Sequence, residues 1–116
     1  MPLPAQEQKV LHVLGFLFLR MGQAARAKRL FSALVALNAE DYYARCALAL
    51  SCIQLDDGET ALHALSGISP DAPLPGGPQT YHILLARAYR LTGNTQEARE
   101  EIAAFWRSKQ REGSLK

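Results

Sequence analysis

The chain has 116 residues, 48% of them hydrophobic and 21% charged, and a formal net charge of +2. That length leaves room for one domain with one modest core, and the composition is ordinary for a soluble globular protein. So small a charge, with no block of about five like charges, argues against nucleic acid or an anionic membrane as the main partner.

The first predicted helix covers 5–21 and contains the apolar run VLHVLGFLFL at 10–19. A bilayer span needs about 20 such residues, so the run is too short to cross one. The preceding MPLPAQEQK has one Lys and one Glu, which gives no basic leader region, and no small-residue cleavage site follows. A buried helix of a cytoplasmic protein is the expectation. A second helix is predicted over 24–37, ending at Asn38, and a third over 41–55. The fourth, 59–65, is cut short by SGISPDAP; the fifth covers 79–91 after the Pro- and Gly-rich linker 69–78. The sixth covers 95–108, with Thr95 as its cap and Glu97 in the first turn, where the helix dipole favours a carboxylate. The polar tail KQREGSLK is expected to fray.

Three stretches, MGQAARAKRLF, LDDGETALHAL and LTGNTQEAREEI, align with Ala27, Ala61 and Ala98 in register, 34 and 37 residues apart (61 − 27 and 98 − 61). Twelve residues before these alanines (27 − 15) stand Gly15, Ala49 and Ala86, and nine before (27 − 18) stand Phe18, Cys52 and Tyr89. Gly22 and Gly93 share a turn column that Asp56 occupies in the middle copy, with Gly58 two residues on (58 − 56). Two helices joined by a tight turn approach closely only where facing residues are small, which makes Gly15/Ala27, Ala49/Ala61 and Ala86/Ala98 the expected contact pairs. Phe31, Leu65 and Ile102, four residues after the alanines (31 − 27), fall on the same face and are expected to fill the space between helices. This period and pattern are those of a tetratricopeptide-like repeat. The fold class expected is all-α: a single domain over 1–116, with repeats at 8–41, 42–75 and 79–112 stacked as a short right-handed superhelix with a concave groove.

Catalysis has little to work with, so no enzyme activity, cofactor or metal is expected. His12, His63 and His82 fall on three different hairpins and in no metal-binding spacing. Cys46 and Cys52 are six residues apart (52 − 46), roughly 600° around a helix, so their thiols point apart; both read as buried apolar groups in a reducing compartment. The cluster EAREE reads as a solvated helix face, and LPGGP as a linker with no phosphate-loop lysine.

What remains is a surface. In such repeats the first helix of each hairpin lines the groove, which assigns to it His12, Phe16, Leu19 and Arg20, then Tyr43, Cys46, Leu50 and Ile53, then Ile83, Arg87 and Arg90. That face is mostly apolar with a basic end, and a monomer rarely leaves so large an apolar patch in water. An amphipathic helix or extended segment of another protein is the expected occupant, with the three arginines available to its acidic groups. Phe16→Asp, Leu50→Asp or Ile53→Asp is expected to break such a complex. The alternative occupant is internal: helix 6, with Phe105 and Trp106, or the tail. No seventh polar helix follows, so both ends of the stack are expected to be incompletely covered.

The opening VLGFLFLRMGQAARAKRLFSALVALNAED resembles the YscY/PscY type of type III secretion chaperone, the SctY family. That family's apolar first helix, LxxGQxxRA-like turn and closing L-x-x-L-N/D-P are matched by Leu19, Gly22, Gln23, Arg26, Ala27, Leu34, Leu37 and Asn38, with Ala39 in place of the proline. The resemblance implies a chaperone in the bacterial cytoplasm that forms a heterodimer with a small early-secreted protein of the SctX type. It also implies recruitment of that pair to the export-gate protein SctV at the cytoplasmic face of the inner membrane, and neither nucleic acid nor a small-molecule substrate. A YscG-type co-chaperone of a needle subunit, also three repeats, and a generic tetratricopeptide-repeat scaffold are the alternatives.

Overall fold

The computed structural model describes residues 3–69, 72–74 and 76–114, with side chains up to Arg111. Pro70, Asp71 and Pro75 of the expected linker, and Leu115 and Lys116 of the expected tail, lie outside the described residues. Six helices follow in order: α1 (Ala5–Arg20), α2 (Ala24–Leu37), α3 (Tyr42–Gln54), α4 (Gly58–Leu65), α5 (Pro78–Leu91) and α6 (Thr95–Ser114). There is no strand among the described residues.

Local chemistry sets these boundaries. Asp41 caps α3 by accepting the Ala44 N–H at 3.0 Å, and Asp57 caps α4 by accepting that of Thr60 at 3.1 Å. Pro78 opens α5, where its missing N–H costs nothing. Two expectations for α6 are corrected. Thr95 is its first helical residue and not its cap, and the helix continues six residues past 108 (114 − 108) instead of fraying. Lys109, Gln110, Arg111 and Glu112 are good helix formers, and Lys109 Nζ lies over the Phe105 and Trp106 rings at 5.8 and 5.6 Å, which ties the extra turn to the helix body.

The turns that end α1, α3 and α5 are built alike. The N–H groups of Gln23, Asp57 and Asn94 donate to the carbonyls of Phe18, Cys52 and Tyr89 at 2.8, 2.8 and 2.9 Å. Those of Gly22, Asp56 and Gly93 donate to the carbonyls of Leu19, Ile53 and Arg90 at 3.2, 3.0 and 3.2 Å. This is the paired bonding of a Schellman motif, which requires a left-handed residue just past the helix. Gly22 and Gly93 supply it at φ 75° and 80°, and Asp56 adopts it at φ 58° without a glycine's freedom. Gly58 is not a displaced turn glycine: a Cβ there would come within 2.7 Å of Leu91 Cβ and 2.8 Å of the Ala88 carbonyl oxygen, so it lets α4 approach α5.

Each helix packs on the next in sequence, and α3 also touches α1 and α5, which sets the three odd helices side by side. The arrangement is consistent with a stack of helical hairpins. Gly15, Ala27, Ala49, Ala61, Ala86 and Ala98 are all buried. Gly15 lies so close to Phe31 that an added Cβ would come within 2.7 Å of ring atom Cε2. Phe31 and Leu65 are fully buried, but Ile102 is 39% exposed, which corrects its expected role as filler. Phe31 and Leu65 sit on helices that have a following hairpin to pack against, whereas α6 packs on α5 alone among the described helices.

Candidate functional site

The face assigned from sequence divides into three groups. Leu19, Cys46 and Ile53 are buried, so their side chains belong to the core, and of the three Ile53 also reaches the floor of a surface cleft. The reason is the position of α3: with α1, α2, α4 and α5 around it, it buries residues on nearly every side. His12, Tyr43 and Leu50 are half-buried. His12 Nε2 bonds Asp41 Oδ2 at 2.8 Å and its ring lies 4.6 Å from that of Tyr43, which makes it a tie between α1 and the start of α3. Phe16, Arg20, Ile83, Arg87 and Arg90 are exposed.

Of the exposed members, Arg87 and Arg90 meet Ile53, Asp56 and Leu91 around a cleft of about 280 Å³ between the C-terminal ends of α3 and α5. Its lining combines apolar side chains with two guanidinium groups and one carboxylate. Arg20, Arg87 and Arg90 have no carboxylate within ion-pair distance among the described residues; the pairs there are His12–Asp41, Lys28–Asp57 at 3.6 Å and His82–Glu101 at 2.8 Å. Arg20 instead lies over the Phe16 ring, 6.0 Å from its centroid. Helix α6 does not fill this face: among the described helices it touches only α5, and Trp106 is 54% exposed.

Two features lay outside the sequence reading. Arg45 on α3 donates from Nε to the Ala64 carbonyl at 3.0 Å, and its Nη2 bonds the Ser66 carbonyl, so it closes the C-terminal end of α4. The second feature is the outer side of α1. Val10, Val13, Leu14, Leu17 and Met21 are between 41% and 67% exposed there, opposite the buried Gly15 and Leu19. The run VLHVLGFLFL is apolar nearly all round, so periodicity alone does not tell its inward side from its outward one.

Both cysteines are free and buried. Burial, set against a smaller opposing pull from Arg45, pushes the Cys46 thiol up to about 11, and burial raises Cys52 as well. Among the described residues, no group of three or more His, Cys, Asp and Glu side chains is placed to hold a metal ion, and no helix is long and apolar enough to cross a membrane. No protein-family model matches the chain, and no curated protein matches it.

Proposed function

We propose that the protein is a tetratricopeptide-type binding module that acts as a type III secretion chaperone of the SctY kind. It holds an apolar helix of a small SctX-type secretion substrate in the groove formed by α1, α3 and α5, as a heterodimer. The groove keeps that helix soluble and unassembled until the pair reaches an SctV-type export gate at the inner membrane. Three turns with the same hydrogen bonds at spacings near 34 residues support the repeat reading, and the resemblance of the first thirty or so residues of the motif supports the family. The observation that carries the function is the side-by-side odd helices. They leave Phe16 and Ile83 exposed on either side of the half-buried Tyr43 and Leu50, with Arg87 and Arg90, unpaired among the described residues, at one end.

The test is expression of the chain alone and beside SctX-like, SctE-like and needle-like partners, with size exclusion and light scattering. A soluble 1:1 complex with the SctX-like protein, from a chain that self-associates alone, is the expected result. A 1:1:1 complex with a needle subunit and its second chaperone would give the YscG-type reading the lead, and a well-behaved monomer that binds none of them the generic scaffold. Phe16→Asp and Ile83→Asp are the variants that test the groove, because both sites are exposed and a carboxylate there is unpaired only in the complex. Ile53→Asp reports on folding instead, since Ile53 is in the core.

A further inference from the structure

The outer side of α1 gathers five of the twelve large hydrophobic residues that are exposed among the described residues. At about 100° per residue, Val10, Leu14, Leu17 and Met21 fall within a narrow stripe with Val13 beside it, running three turns along the helix. All five are large and exposed, whereas single exposed apolar residues scattered over a surface would need no explanation. The stripe continues at its N-terminal end into a shallow dent where Leu3, Leu11 and Gln6 join Val10, with the exposed Glu7 on the flank opposite Lys9 and Arg20.

We propose that this face is a second docking surface, occupied by an amphipathic helix of another protein that carries acidic residues along one flank. Size favours a helix over a short peptide. A stable interface needs about 800 Å² from each partner, and a stripe of five side chains supplies only a few hundred. The occupant must therefore run the length of α1, about 24 Å, and extend over the dent.

Charge selects which helix. Lys9 and Arg20 lie on the same flank of the stripe, both exposed and neither paired with a carboxylate among the described residues. A second copy packed antiparallel about a two-fold axis would match Val10 with Met21 and Leu14 with Leu17, but it would also set Lys9 of each copy against Arg20 of the other. Two like-charge contacts oppose that pairing, and the same two positions attract a helix with glutamates on the facing flank. The stripe lies on the far side of α1 from His12 and α3, and it shares only the flank residue Arg20 with the face assigned to the groove.

The probe is a synthetic, fluorescein-labelled helical peptide of about 18 residues. It has leucines at i, i+3, i+4 and i+7 and glutamates along one flank, and it is titrated by anisotropy with the full chain beside a matched peptide carrying lysines in place of the glutamates. The glutamate peptide is expected to bind at least about ten-fold tighter, and the double variant Lys9→Glu/Arg20→Glu to invert that order. Leu14→Lys should abolish binding of both while leaving the thermal melt unchanged, and Ile83→Asp on α5 should leave it intact, which separates this surface from the groove. Binding of neither peptide, or equal binding of both by the wild-type chain, overturns the proposal. So does a dimer of the chain alone that Leu14→Lys disperses, or binding to phosphatidylserine vesicles that the same variant removes.

Discussion

The two ends of the molecule face the same geometric problem and solve it differently. Among the described helices α1 and α6 each leave one side uncovered, yet α6 turns a largely polar surface outward, with Ile102 and Trp106 set among Arg99, Lys109 and Gln110. α1 turns out five aliphatic side chains with cations on one flank only. A stack of helices ends stably in water when its last face is polar, so α6 has the character of a cap and α1 that of an unfinished edge. Being terminal is thus not enough to make a surface a binding site; what the terminal helix presents decides it.

The largest expected effect attacks the seat of α1. Gly15→Ala should destabilise the fold by about 1–3 kcal/mol, because the new methyl meets the Phe31 ring, which is itself fully buried. Adding Phe31→Leu should recover part of the loss in denaturant titration; if Gly15→Ala is neutral, α1 is held loosely and the comparison of the two ends loses its footing. Next comes the middle hairpin, which has neighbours on both sides and serves as a reference. Asp57→Ala removes the α4 cap and should cost about 1 kcal/mol at neutral pH. Hydrogen bonds from Thr60, ahead of a weaker attraction to Lys28, hold the Asp57 carboxyl below its usual range. Its contribution is therefore complete above the unfolded value of about 3.9 and is lost as pH falls through the lower native value. Wild-type and Asp57→Ala stabilities should converge in acid, which urea melts across pH 2–7 would show.

A smaller effect of opposite sign is expected at the turn. Asp56→Gly should stabilise by about 0.5 kcal/mol, since glycine accepts the left-handed backbone that aspartate tolerates at a cost. A loss of stability there would mean the Asp56 side chain contributes something the turn geometry does not explain. The smallest effects on stability come from the end faces themselves. Leu17→Lys and Ile102→Lys should each shift the melt by less than about 0.5 kcal/mol. Only Leu17→Lys should weaken capture of an acidic-flanked helix, which is the sharpest separation of the two ends.

Much of the fold is legible in the residues because tight contacts leave their mark on side-chain size. Gly15, Ala27, Ala49, Ala61, Ala86 and Ala98 are small and buried, and the turn column holds at Asp56 despite the missing glycine. The site was less legible. Burial of Leu19, Cys46 and Ile53 depends on how many helices crowd around α3, a property of the assembled stack that no single helix's periodicity contains. Ile102 stands four residues after Ala98 (102 − 98) as Phe31 does after Ala27, but α6 packs on α5 alone among the described helices, so equal spacing in sequence does not become equal packing.

The enclosure of α3 also gives the protein a stopwatch. Cys46 and Cys52 ride on the helix that every hairpin touches, shielded by neighbours and with their thiolates disfavoured near neutral pH. An alkylating reagent can reach them only when the stack comes apart around its middle. The labelling rate therefore reads how often the whole assembly opens, while fraying of the outer helices passes unrecorded.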